Sequence, residues 1–170
     1  MAWTDPKTWS TNDVLSASDL NTYLRDNERA IGKLTSYTPV WTASTTNPAI
    51  GNGTIQGRYI ALEEWCYVNI MIVCGTTTTG GGGVYTVTLP FAAASLIGGA
   101  GEQSLRCHFN RYTVARYNGV ALLASGATSF GVSEISLLSA STAGAWGTTT
   151  PFTFASVSNV FYCEGIYRRV

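Results

Sequence analysis

The chain has 170 residues, ten basic and ten acidic, with a formal net charge of zero. That length suits one domain with a short appendage, and a 45% hydrophobic content excludes a disordered chain. The charge balance argues against a nucleic-acid binder that works by neutralising phosphate, and against a polybasic membrane anchor.

Charged residues make up 12% of the chain, about half the usual ~25%. Polarity comes instead from 23 Thr and 15 Ser. Nine of the twenty charges fall in the first 33 positions, and the remaining 137 residues carry eleven. This break divides the chain into residues 1–35, an attachment arm and helix, and residues 36–170, a β-domain.

Met1 to Pro6 lacks the basic and apolar regions of a signal peptide, so synthesis in a cytoplasm is expected. Trp3 and Trp9 flank Pro6 in an extended segment and need a surface to dock on, either the chain's own β-domain or a partner. Ser16 to Asp19 supplies an N-cap with an acidic residue in the first turn. Leu20, Leu24, Asn27, Ile31 and Leu34 then follow a 4-3-4-3 spacing, the seam of a short heptad helix. Two readings of that seam stay open: packing on the chain's own domain, or self-association with Asn27 fixing the register. The second is preferred, because no neighbouring helix is available to receive the face.

From Tyr37 onward the pattern is that of strands. Cys66, Val68, Ile70, Ile72 and Cys74 form an inward face, with Asn69 among the outward positions. Trp65 to Cys74 is about half the length of a membrane-spanning helix, so no insertion is expected. Gly80 to Gly83 reads as a flexible hairpin loop, with none of the Gly-Lys-Ser/Thr of a phosphate-binding loop. Tyr85, Val87 and Leu89 alternate with threonines, and Leu105, Cys107 and Phe109 alternate with Arg106, His108 and Asn110. Tyr117-Asn118-Gly119-Val120 is expected to be a two-residue hairpin turn between strands at Thr113–Arg116 and Val120–Ala124. Phe130–Leu138 and Val160–Arg168 complete about eight strands, which predicts an antiparallel β-sandwich or jelly roll preceded by one helix.

No catalytic set emerges. Cys66, Cys74, Cys107 and Cys163 show no C-x-x-C pair, so buried thiols are expected and neither metal nor cofactor is. Cys107 and His108 are adjacent on a strand and face opposite ways. Glu63 and Glu64 read as a solvated turn, while Glu134 sits at an apolar alternation. The alternative to a structural role is a carbohydrate-binding module used for host-surface recognition, with Arg106, His108, Asn110, Tyr112 and Tyr117 as candidate glycan contacts.

The block Trp3-Thr4, Pro6, Thr8-Trp9, followed by Ala17, Leu20-Asn21 and Arg25-Asp26-Asn27, resembles the N-terminus of minor tail, fibre-like and head-surface decoration proteins of tailed bacteriophages infecting actinobacteria. Tyr37 to Trp41, Gly51 to Gly53, Gly57 to Tyr59, Leu89-Pro90, Pro151 to Phe154 and Gly165 to Arg168 are similar to β-domains of such proteins. The resemblance implies a virion component, commonly a homotrimer, that attaches to capsid or tail by its N-terminal part and displays its β-domain. Trp3, Trp9, Leu20, Leu24, Asn27, Ile31 and Leu34 would then carry attachment and self-association, and no catalytic residue is carried over.

Overall fold

The computed structural model describes residues 4–96, 99, 101–137, 140–141 and 145–170. A helix comes first, as α1 (Ala17–Asp19), a π-helical segment (Leu20–Arg25) and α2 (Asp26–Gly32). Strands β1 (Thr35–Tyr37), β2 (Trp41–Ala43), β3 (Thr54–Leu62), β4 (Trp65–Val73), β5 (Tyr85–Thr88) and β6 (Gln103–Arg111) follow. The chain ends with β7 (Ala115–Leu123), β8 (Ser129–Phe130), β9 (Val132–Leu137), β10 (Ala140–Ser141) and β11 (Val160–Arg168). Among the described residues, no helix is long and apolar enough to cross a membrane.

The strands build an antiparallel sandwich of unequal layers rather than the even division of a jelly roll. Eight strands pair in the order β1-β3-β4-β11-β6-β7-β9-β10, and three in the order β2-β5-β8. Strict alternation places Cys66, Val68, Ile70, Ile72, Leu105, Cys107 and Phe109 on the inner face of the large sheet, all buried. Tyr85 and Val87 meet them from the small sheet. Between β8 and β9 the chain crosses from the small sheet to the large one at Gly131, where an added Cβ would lie 3.1 Å from the Tyr85 carbonyl oxygen.

Three strands are too few to cover eight, so an irregular segment closes the core. Trp146 joins the small sheet through its backbone: Tyr85 N donates to Trp146 O (2.9 Å) and Trp146 N to Val132 O (2.9 Å). Its ring stacks on Phe161 (centroids 4.3 Å apart, 17° between planes) and lies parallel to Trp41 at 6.2 Å. Tyr85, Phe109 and Phe154 meet it edge-on at 5.1–5.4 Å. Buried Asn159 holds this closing segment, its amide donating to the Phe154 carbonyl (3.1 Å) and accepting from Tyr112 N (3.1 Å).

Two sequence expectations are corrected here. Asn118-Gly119 is not a turn. It lies inside β7, where Asn118 pairs with His108 and Ser136, and Gly119 with Cys107 and Ile135. A strand paired on both sides, with Ala121 and Leu123 buried, outweighs the local preference of an Asn-Gly dipeptide. The chain reverses instead at Tyr112–Val114, with Thr113 at φ +57° and Val114 N donating to Arg111 O (2.9 Å). Gly80 to Gly83 is likewise no free hairpin, since β4 and β5 belong to different sheets. Thr45 N donates to Gly82 O (3.1 Å) and Gly82 N to Thr46 O (2.9 Å), which pins the crossover. Glu63 and Glu64 do form the tight β3–β4 turn.

All four thiols are buried. Cys107 and Cys163 face each other across β6 and β11 with their sulfurs 3.3 Å apart. Burial pushes the Cys74 thiol up to about 12 and raises those of Cys66 and Cys163. Since the thiolate is the reactive form, iodoacetamide at pH 8 is expected to leave the folded protein unlabelled and to label all four cysteines in denaturant, read by intact mass. Rapid labelling of the folded chain would show that the sandwich opens.

Candidate functional site

The N-terminal part is built by local hydrogen bonding. Ser16 Oγ accepts from Asp19 N (3.0 Å) and donates to the Asp19 carboxylate (2.7 Å), as the N-cap pattern predicts. That hydroxyl, with Lys7 3.8 Å away, holds the Asp19 carboxyl below its ordinary value. Arg25 Nη1 donates to Asn21 Oδ1 (2.9 Å) and Arg25 Nε to Asp26 Oδ1 (2.8 Å), so the Asn21…Arg25-Asp26 motif braces the π-helical segment.

Asn27 is corrected by the structure. It is 4% exposed, and its amide is engaged with its own chain rather than standing on the seam. Its Oδ1 accepts from Thr4 N (2.9 Å), while its Nδ2 donates to Thr4 O (2.8 Å) and Tyr23 O (3.1 Å). The π-helical winding is the reason: it places more residues per turn than an α-helix and rotates Asn27 out of the phase that a 4-3-4-3 count assumes. Thr4 meets Asn27 and Lys7 meets Asp19, so the arm runs back antiparallel along the helix. Trp9 remains 41% exposed beneath the Lys7 ammonium, 4.4 Å from its ring centre, and Trp3 lies outside the described residues.

Asn27→Ala removes three hydrogen bonds, each worth about 0.5–1.5 kcal/mol net. The Thr4 amide is expected to lose its protection from hydrogen exchange while the β-strand amides keep theirs. An unchanged Thr4 amide would mean that the arm is held by something else.

The other seam residues share one property. Leu20, Leu24, Ile31 and Leu34 are 45%, 55%, 51% and 42% exposed, and Val14 and Leu15 before them are also exposed. Among the described residues, the end of the helix approaches the sandwich where α2 meets β3.

The outer face of the large sheet carries the second set of candidates. Arg106, His108 and Asn110 point outward from β6, and the register sets Tyr162 and Asn118 on either side of His108, and Val160 and Arg116 on either side of Asn110. These residues line a shallow groove of about 390 Å³. The His108 and Tyr162 rings lie 6.5 Å apart and tilted by 33°. Tyr162 donates to Glu164 Oε2 (2.8 Å) and accepts from Asn69 Nδ2. Desolvation, then the Glu164 carboxylate, push the Tyr162 hydroxyl up to about 12.

Of the remaining expected glycan contacts, Tyr117 also contributes to the groove lining, while its ring packs on Phe152 (5.3 Å) against the core. Tyr112 stands in the β6–β7 turn, outside the groove lining. Arg116, Asn118 and Tyr162 were missed by sequence reasoning. Period-2 parity would have found Tyr162 once β11 is known to pair with β6, but reading Asn118 as a turn hid both residues of β7. Comparison with family models, curated proteins and solved structures finds no match to this chain.

Proposed function

We propose that the chain is a non-enzymatic structural protein of a bacteriophage particle. It is a homotrimeric surface appendage of tail or capsid that attaches by its N-terminal arm and helix and displays the β-sandwich. The observation that carries this reading is the exposure of Leu20, Leu24 and Ile31 on the helix and of Leu34 just after it. A helix of about two heptads is marginal alone in water, and burying each such side chain contributes about 1.5–3 kcal/mol. A second and third copy supply what the single chain lacks. The arm motif supports the virion context through its resemblance to phage tail and head-surface proteins, and Asn27 gives that motif a physical task, holding the arm to the helix.

Light scattering on the purified chain is expected to report three times the chain mass at micromolar concentration. Labelled antibody on intact particles is expected to decorate either the tail or the head. A monomer at high concentration, or particles that carry no label, would overturn the reading.

A further inference from the structure

We infer that the outer-face groove on β6, β7 and β11 is a binding site for an acidic saccharide. The argument does not rest on assembly and holds for a single copy of the chain.

The first observation is unspent hydrogen-bonding capacity. Among the described residues, the side chains of Arg106, His108, Asn110, Arg116 and Asn118 donate and accept no hydrogen bond, although three of them are half-buried. Elsewhere some comparable groups are spent, although Arg58, Arg111 and Arg169 also form no side-chain hydrogen bond among the described residues. Asn69 bonds Tyr162, Asn52 bonds Thr76 and Thr77, and Arg168 pairs with Glu64 at 2.6 Å. Five planar or forked polar groups on one concave face, with no partner among the described residues, are arranged for a ligand rich in hydroxyls.

The second observation is shape. The His108 and Tyr162 rings form a tilted apolar floor, with the polar groups as its rim. A sugar ring presents an apolar C–H face and an equatorial edge of hydroxyls, and such a floor and rim match the two. The volume of about 390 Å³ is at the lower end of small-ligand sites.

The third observation is charge. Arg106 and Arg116 stand at opposite ends of the groove, about 13 Å apart by strand rise. Among the described residues, no carboxylate lines it. Glu164, which faces Arg106 in the register, directs Oε2 to the hydroxyls of Tyr162 (2.8 Å) and Tyr67 (3.4 Å), away from β6, and forms no ion pair with Arg106. Two guanidiniums with no ion pair among the described residues, flanking an uncharged floor, favour carboxylate groups carried on separate rings. A nucleic acid fits less well, because the groove is short and the whole chain carries no net positive charge.

The test is titration of the full chain, followed by backbone NMR, with tetragalacturonate, with neutral tetragalactose and with a short oligothymidylate. Tetragalacturonate is expected to shift amides of β6, β7 and β11 and to bind at least tenfold more tightly than either of the others. Binding is expected to weaken at least tenfold in the Arg106→Ala/Arg116→Ala double variant, whose strands remain intact because both side chains are exposed. His108→Ala is expected to weaken it with no change in salt dependence. Absence of any shift, equal affinity for the neutral sugar, tighter binding of the oligothymidylate, or full binding by the double variant would each overturn the inference. None of these outcomes bears on the trimer mass or on particle labelling.

Discussion

Trp146→Ala is expected to cost about 3–5 kcal/mol and to lower the melting temperature by on the order of 10 °C. Trp146 is fully buried, lies between Trp41 and Phe161, and takes three further rings edge-on. Its removal forfeits the burial of a large side chain and several aromatic pairs, each worth about 0.5–1.5 kcal/mol beyond area. It also leaves a cavity in the layer that closes the sandwich where the small sheet ends. Trp146→Phe is expected to cost much less, because the indole Nε1 has no hydrogen-bond partner among the described residues and loses none. Thermal and urea unfolding measure both. Equal losses for the two variants would show that the indole nitrogen is satisfied after all, and a small loss for Trp146→Ala would mean that this segment does not close the core.

The second large effect concerns assembly. The double variant Leu24→Asp/Ile31→Asp is expected to sediment as a monomer at concentrations where the unsubstituted chain is expected to form a trimer. Its dissociation constant should rise by more than 100-fold. The two side chains are 55% and 51% exposed in the single chain, so the unfolding midpoint of the sandwich should not move. In a trimer each substitution places three carboxylates on one seam, where desolvation and like charge both oppose association. A double variant that keeps the trimer mass would place the interface elsewhere, and one that unfolds would show that the helix packs on its own domain. Leu20→Ser/Leu34→Ser, at the ends of the same seam, is expected to weaken the trimer less.

Much of the β-domain is legible in the residues, for a clear reason. Where one face is buried and the other wet, side-chain polarity must alternate with period 2, so Cys66 to Cys74, Tyr85 to Leu89 and Leu105 to Phe109 declare both strand and facing. The N-cap at Ser16 is legible because it is settled within one turn of chain. Signals that compete with distant pairing are read less well. Asn118-Gly119 carries the chemistry of a turn, but the ladder with β6 and β9 prevails, and the reversal falls on Thr113, a β-branched residue at positive φ that no turn preference selects. Asn27 is misplaced because the 4-3-4-3 count assumes α-helical winding, and the π-helical segment breaks it.

The candidate sites divide along the same line. Leu20, Leu24, Ile31 and Leu34 lie close together in the sequence, so spacing alone singles them out. The groove is assembled from three strands that lie far apart in sequence. Arg106, His108 and Asn110 share a face by parity, yet what stands beside them is decided by register, which brings in Tyr162, Arg116 and Asn118.

The zero net charge is an average over two unlike parts, and the sequence by itself determined that much. Polarity, charge distribution and alternation are properties of neighbouring residues, so they separated an arm and helix from a charge-poor antiparallel β-domain and named its inward faces. Only the tertiary structure decided which strands are neighbours, that Trp146 closes the core, that Asn27 binds the arm, and that unspent polar groups converge on β6, β7 and β11. Pairing and register are set by the burial and hydrogen bonding of segments as much as 103 residues apart, such as Trp65 and Arg168, and no local pattern encodes that sum.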